Sequence, residues 1–169
     1  SVLPDRVVLA CETARYQDGV VQKQIKLFSY GSSDFSQLGK TTVLRGLSDL
    51  SSGAFAAASD GTVYLLKGSE PNMLYTTEDV AESSEEKIQS LVPFCDLEEP
   101  ISELVAAPSN GGVYLVSQSG GLWRVNDDEV AAFSGDPVGD GLRMLDSELA
   151  VDEAGTVYRV SEEDLTVER

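Results

Sequence analysis

Three copies of one short pattern constrain the fold of this chain more than any other feature. Each copy has a small apolar segment, a turn rich in Asp, Asn and Gly, and a second segment that begins Val-Tyr. The copies lie at 56–66, 105–116 and 149–160. Short apolar segments joined by Asp-Gly or Asn-Gly turns are typical of antiparallel β-hairpins. The pattern therefore predicts an all-β protein built from a repeated hairpin.

The repeat has the period of a propeller blade. Tyr64, Tyr114 and Tyr158 are equivalent in the three copies, and Phe28 takes the same place in a diverged fourth copy near the start of the chain. The units recur roughly every 45–50 residues, and such a period with about four short strands per unit is typical of β-propellers. We predict a single β-propeller-like domain, 1–169, with units near 7–50, 54–97, 103–137 and 142–169.

The distribution of side-chain size agrees with this architecture. The first strand of each unit is rich in Ala, as at 54–58 and 106–107, and the second carries larger Val, Tyr and Leu residues. Small residues suit strands that converge on a central axis, and larger ones fill the space between blades. An irregular antiparallel sandwich is the alternative fold. Within the second unit, 88–94 fits an outer strand or a short amphipathic helix, and we favour the strand.

Four units leave two arrangements open. In the first, the chain forms a closed four-bladed ring, in which Val2 and Leu3 supply a strand that the last unit lacks. Alternatively, it forms an incomplete propeller whose open ends another polypeptide covers, because exposed sheet edges invite pairing.

Charge and composition exclude several classes of function. Lys and Arg number 12 against 29 Asp and Glu, a net charge of −17. That charge repels nucleic acid and anionic lipid and favours basic protein partners. His is absent, which removes the commonest general base and metal ligand. No spacing predicts a catalytic, metal or cofactor site, so we expect no cofactor and no enzyme activity.

The cysteines, the apolar stretches and the first residue of the chain indicate where in the cell the protein is expected. We expect Cys11 and Cys95 to be two buried thiols, since they are far apart and match no metal spacing. A structural disulfide between them is the alternative. No apolar stretch is long enough to span a bilayer. The start at Ser1 indicates a processed or trimmed N-terminus, and we expect a soluble protein of the cytoplasm or an organelle lumen.

One loop resembles a known repeat. The segment 30–39 reads Tyr-Gly-Ser-Ser-Asp-Phe-Ser-Gln-Leu-Gly. It resembles the regulator-of-chromosome-condensation (RCC1-type) repeat, in which an aromatic residue and Gly precede Asn, a further Gly and Gln-Leu-Gly. Ser33 and Ser36 depart from that pattern. The resemblance implies a propeller that serves as a binding platform; the family usually has seven blades.

Two groups of residues are candidates for partner binding. The first is an acidic stretch, interpreted either as a solvated loop or as a dock for a basic partner: Glu78, Glu82, Glu85 and Glu86. The second is the pair Asp34 and Phe35 in the loop that carries the resemblance. Three Asx residues at hairpin turns have backbone roles: Asp60, Asn110 and Asp152. Trp123 is expected to pack between blades.

These observations predict a non-catalytic protein–protein interaction or scaffold module, an accessory subunit of a larger complex. The alternatives are a small-GTPase regulator of the RCC1-like type and an acidic lumenal or extracellular binding protein.

Overall fold

The computed structural model describes residues 5–45, 54–58, 60–67, 69–78, 87–106, 113–117, 119–126, 129–135, 138–139, 142–145, 149–152, 154–161 and 163–169. The described residues form β-strands and no helix, and the strands make up four small sheets. The predicted all-β, propeller-like class is confirmed. Because the described part of the chain contains no helix, it holds none long and apolar enough to cross a membrane.

The first two sheets have four strands each. Sheet I contains, in spatial order, β1 (Arg6–Gln17), β2 (Val20–Gly31), β3 (Gln37–Arg45) and β7 (Lys87–Ser90). Sheet II contains, in spatial order, β4 (Phe55–Ala57), β5 (Thr62–Lys67), β6 (Glu70–Glu78) and β8 (Val92–Asp96).

The last two sheets follow along the chain. Sheet III has the order β12-β11-β10-β9 and contains β9 (Ile101–Ala106), β10 (Val113–Ser117), β11 (Leu122–Asn126) and β12 (Glu129–Ala132). Sheet IV has the order β13-β17-β16-β15-β14 and contains β13 (Ser134–Gly135), β14 (Arg143–Met144), β15 (Leu149–Val151), β16 (Val157–Ser161) and β17 (Thr166–Glu168).

Two outer segments of the chain bridge neighbouring sheets. β7 pairs in parallel with β3 of sheet I, and after Leu91 the chain continues as β8 on the edge of sheet II. In the same way β12 closes sheet III, and after Phe133 the chain continues as β13, parallel to β17 of sheet IV. Strand structure at 88–94 is confirmed, but the single outer strand expected for the second unit is wrong, because 87–90 joins sheet I and only 92–96 closes sheet II. β13 adds an outer strand to the last sheet.

Three hydrophobic cores join the four sheets in a row. Val8, Ile25, Leu27 and Leu44 of sheet I share a core with Ala57, Val63 and Leu65 of sheet II. The next core lies between sheets II and III and includes Tyr64, Leu66, Val113 and Leu115. The last lies between sheets III and IV and includes Tyr114, Val116, Tyr158 and Val160. In the described residues, no such core contains side chains of both sheet I and sheet IV.

The repeat register holds for the two middle sheets and fails at both ends. Tyr64 packs toward sheet III and Tyr114 toward sheet IV, each one sheet further along the chain. Phe28 was predicted to be equivalent, but its neighbour Leu27 faces the core and Phe28 lies on the opposite face. The reason is the period of two along a strand, by which a slip of one residue reverses the face. Tyr158 packs backwards, into the same core as Tyr114.

Candidate interaction surfaces

The loop that follows β2 presents Asp34 and Phe35 together. The backbone N–H of Phe35 donates to the carbonyl of Gly31 at 3.0 Å, and that of Gly31 donates to the carbonyl of Ser36 at 2.9 Å. The backbone N–H of Ser36 and its hydroxyl donate to Asp34 Oδ1 at 3.0 and 2.8 Å, and both bonds lower the pKa of this carboxyl. Asp34 thus has a local structural role and keeps its negative charge.

Phe35 is the exposed apolar residue of this loop. Its side chain is 70% exposed, and its φ is 54°. A bulky residue at positive φ is strained, so the hydrogen bonds around it must hold the loop in this shape. A fixed, exposed aromatic ring is the kind of side chain that anchors protein interfaces.

The predicted acidic residues fall largely outside the described ranges. Glu78 ends β6, where its backbone pairs with Thr62. The positions of Glu82, Glu85 and Glu86 are not among the described residues. These candidates therefore stay predictions.

Both ends of the row of sheets expose apolar side chains. On sheet I, the strand faces turned away from sheet II carry Leu9 and Ile88, 44% and 56% exposed. On sheet IV, the faces turned away from sheet III carry Leu149 and Val157, 37% and 50% exposed. We call these the outer face of sheet I and the outer face of sheet IV. Each is the kind of surface that elsewhere in this molecule is covered by another sheet.

The β1–β2 hairpin extends beyond the rest of sheet I. Residues 14–23 pair only with each other, since β3 begins its pairing at Ile25 of β2. We call this segment the arm; all of its residues are exposed, including Tyr16 (74%), Val20 (58%) and Val21 (61%). The turn at Asp18-Gly19 forms its tip, with both residues at positive φ. The sequence signals the turn, but not that β3 stops short of it.

The Asx residues divide into an exposed and a buried kind. Asp60 accepts from the backbone N–H of Thr62 at 2.8 Å, a turn-stabilising bond, as predicted. Asp152 accepts from the backbone N–H of Thr156 at 2.8 Å and also from the hydroxyl of Tyr158 at 2.9 Å, and it is 5% exposed. Asn110 lies outside the described residues.

The Asp152 group is a structural network. The backbone N–H of Gly139 donates to the Tyr158 hydroxyl at 3.1 Å, so that hydroxyl both accepts and donates. Burial of Asp152 raises its pKa, but the hydrogen bonds from Thr156 and Tyr158 outweigh burial and the net effect is a lowered pKa. The carboxylate is satisfied by partners inside the fold, and its role is to fix the last hairpin against the backbone at Gly139.

The cysteines and Trp123 test two further expectations. Both thiols are free. The expected burial is wrong for Cys11, which is exposed, and only partly met by Cys95, which is half-buried. It stands on a strand of a terminal sheet, where nothing in the described chain covers it. Trp123 is half-buried against the core between sheets II and III, as predicted. Among the described residues, no group of three or more Cys, Asp or Glu side chains could hold a metal ion.

Comparison with known proteins adds little beyond the geometry. No family model matches the chain, and no curated protein matches it. A solved structure, Kluyveromyces lactis Hsv2 complete loop 6CD, a β-propeller protein, matches with a TM-score of 0.43 and 12% identity over 89% of this chain and 45% of that chain. The present chain thus spans less than half of the length of that structure. The all-β fold follows from the four sheets themselves.

Proposed function

We propose that this protein is a non-catalytic interaction module, an accessory subunit that a larger protein assembly covers at its end sheets. A single observation carries the proposal: four sheets are joined by three cores, and the outer face of each end sheet exposes apolar side chains. Apolar faces left in water favour association with another protein surface. The fixed Phe35 and the arm supply two further exposed contacts.

The finer relationship to RCC1-type repeats is part of this proposal. It rests on the residues of the 30–39 loop, which belongs to the strand-to-strand connection of sheet I. A propeller of that family as a binding platform agrees with an interaction role. No described residue favours catalysis of nucleotide release over simple binding.

The test compares native size with and without the exposed end faces. The tagged chain is isolated from the cells that make it and sized beside the purified chain of 18.1 kDa. We expect the native form to run as a complex well above that mass. The variant Leu9→Ser with Val157→Ser should release the chain from the complex, because it removes an apolar side chain from each outer face. Both side chains are about half exposed, so their loss should spare the fold.

Val92→Ser is the matched control. Val92 is 58% exposed but lies on an outer strand of sheet II, away from both end faces. It should leave the complex intact. A wild-type chain that runs at its own mass in the native extract would contradict the proposal. Strong acceleration of nucleotide release from small GTPases by the purified chain would replace it with the regulator alternative.

A further inference from the structure

The outer face of sheet I differs from the rest of the chain in charge. The four strands of sheet I hold seven of the 12 Lys and Arg residues of the chain and one of its 29 Asp and Glu residues. That one carboxylate, Glu12, is paired with Lys23 at 2.8 Å. The remainder of the protein is correspondingly more acidic than its net charge of −17 indicates.

Strand alternation places three of these cations on the outer face. Arg15 of β1 is on the same side as Leu9, and Lys26 of β2 is on the same side as Phe28. Arg45 of β3 alternates with the core residue Leu44 and therefore also faces outward. Glu12 alternates with these positions and falls on the inner side, with Val8. Among the described positions of the four strands, the outer face thus has cations and no carboxylate.

Two of these cations, Arg15 and Lys26, border an open groove that has one apolar side. Arg15 and Lys26 line it together with Thr13 and Gln24, and its volume is about 380 Å³. Val43 and Ile88, paired on adjacent strands, form its apolar side. Val43 is buried in this groove although it belongs to no core, and Ile88 is 56% exposed. The groove therefore has the two properties of an incomplete protein interface, apolar contact area and a border of one charge.

We propose that the outer face of sheet I docks a partner protein through an extended segment or sheet face in which acidic and apolar side chains alternate. This inference rests on the proposed function and names the chemistry of the partner at one end of the row. Charge complementarity favours such a partner, since Arg15, Lys26 and Arg45 on this face attract carboxylates. Salt at cellular concentration screens charges that are more than about 8 Å away, so the charges nearest the groove contribute most.

Two other occupants fit less well. A second copy of this chain would bring two charges of −17 together. Nucleic acid binding commonly neutralises about six to ten phosphates, more than three cations provide. Both are outcomes of the experiment below.

Cys11 gives the experiment a reporter. It is exposed on β1, directly paired with Lys26, and so lies on the outer face between the arm and Leu9. Cys95 packs against the core between sheets II and III and serves as an internal control. An occupant of the face should slow alkylation of Cys11 and leave Cys95 unchanged.

The probes are two synthetic peptides of about twelve residues, the length of β1, with Val alternating with Glu or with Lys. With the purified full chain, we expect the Val-Glu peptide to bind by fluorescence anisotropy and to slow Cys11 alkylation by about fivefold or more at saturation. The Val-Lys peptide should do neither. Arg15→Glu with Arg45→Glu should weaken Val-Glu binding by about tenfold or more.

The matched control is Arg159→Glu with Arg169→Glu. It changes the net charge equally but alters exposed residues of sheet IV and the chain end, so binding should change by less than about twofold. The variant Arg15→Lys with Arg45→Lys should keep most of the binding. Slow Cys95 alkylation in each variant shows that it is folded.

Three results would overturn the inference. The first is equal binding of the two peptides, and the second is stronger protection of Cys11 by duplex DNA than by the Val-Glu peptide. The third is dimerisation: the purified chain doubles its mass as its concentration rises, and Cys11 becomes protected without any peptide. If the peptides fail while the native complex persists, this inference falls and the interaction module stands. If the chain forms no native complex, the proposed function falls with it.

Discussion

Two strands with almost the same sequence have opposite environments. β10 reads Val-Tyr-Leu-Val-Ser and β16 reads Val-Tyr-Arg-Val-Ser. All five residues of β10 are buried, because sheet III has a neighbour on each face. In β16 only Tyr158 and Val160 are buried, because sheet IV has a neighbour on one face. The third residue, Leu115 or Arg159, marks the difference.

The comparison extends to sheet I. The second half of β2 alternates between buried and half-buried residues, as expected for a sheet covered on one side. β5 of sheet II has a continuous run of four buried residues, as in β10. A second strand with a continuous run of buried apolar residues therefore belongs to an interior sheet. A cation between two buried positions, such as Lys26 in β2 or Arg159 in β16, belongs to an end sheet.

Exchanging the marker residue should give the largest effect. Leu115 is fully buried, so Leu115→Arg places a charge in the core between sheets II and III without a partner. We expect a loss of more than about 4 kcal/mol in the free energy of unfolding, measured by urea denaturation, and little folded protein. The matched variant Arg159→Leu, on the exposed face of β16, should change it by about 0.5 kcal/mol or less.

This pair also tests the row of sheets. If Arg159→Leu stabilised the chain strongly, or if Leu115→Arg were tolerated, the assignment of interior and end sheets would be wrong. A rise in self-association of Arg159→Leu without a change in unfolding would support it, since the end face becomes more apolar.

The bridging strands should show the next largest effect. Gly135 in β13 has a φ of 121°, and a Cβ there would meet the carbonyl oxygen of Val167 in β17 at 1.9 Å. Gly135→Ala should therefore separate β13 from sheet IV and cost about 1–3 kcal/mol of unfolding free energy. Hydrogen exchange should rise at 134–135 and at β17 and remain unchanged in sheet I.

Gly19 at the tip of the arm is the control. It too has a positive φ, 81°, but beyond its chain neighbours a Cβ there would meet, among the described residues, just the hydroxyl of Tyr16 at 4.0 Å. Gly19→Ala should cost only the backbone strain, without separating two strands. Equal exchange behaviour of both variants would show that β13 does not hold sheet IV.

The Asx turns compare an interior and an exposed carboxylate. The pKa of Asp152 is lowered in the folded protein, so its ionised form stabilises the fold at pH values above its unfolded pKa, about 3.9. This contribution is lost as pH falls through the lower folded pKa. Asp152→Asn should therefore destabilise the protein at pH 7, and the difference from wild type should shrink below about pH 4. Urea titrations at several pH values measure it.

Asp60→Asn provides the comparison within the same experiment. Asp60 bonds Thr62 but is exposed and has no Tyr partner. Asp60→Asn should lower the free energy of unfolding at pH 7 by less than Asp152→Asn does. A pH-independent cost for Asp152→Asn would mean that shape, and not charge, is what the network needs.

The sequence predicts local structure well here because hairpins are local. The Asp-Gly turns, the Ala-rich first strands and the Val-Tyr second strands could all be identified from neighbouring residues. The parallel pair β3–β7 could not, since its two strands are separated by all of β4, β5 and β6. Periodicity identifies a strand, but it does not say which sheet the strand joins.

Faces were harder to predict than strands. Phe28 was aligned with Tyr64 in the repeat, but a slip of one residue places Leu27 in the core instead. Tyr158 follows the repeat in sequence but packs in the opposite direction, because sheet IV turns its Tyr face back toward sheet III. For the candidate site, Asp34 and Phe35 were found from the loop pattern, whereas the basic outer face needed the strand bounds before its charges could be assigned to one side.

The alkylation rates of the two cysteines compare an end sheet with an interior sheet directly, and this measurement perturbs the protein least. Burial, and then the charge of Asp96, raises the pKa of Cys95, so less reactive thiolate is present at any given pH. Cys11 is exposed on the outer face of sheet I. With iodoacetamide at pH 8, we expect Cys11 to react several-fold faster than Cys95, read by mass spectrometry of the peptides.

Denaturant separates the two causes of that difference. In urea above the unfolding midpoint both thiols are exposed, so their alkylation rates should converge, since the raised pKa of Cys95 comes from the folded structure. Cys95→Ser should leave the rate at Cys11 unchanged. If Cys11 were as slow as Cys95 in the purified chain, its strand would be covered, and the row of sheets would have to close on sheet I after all.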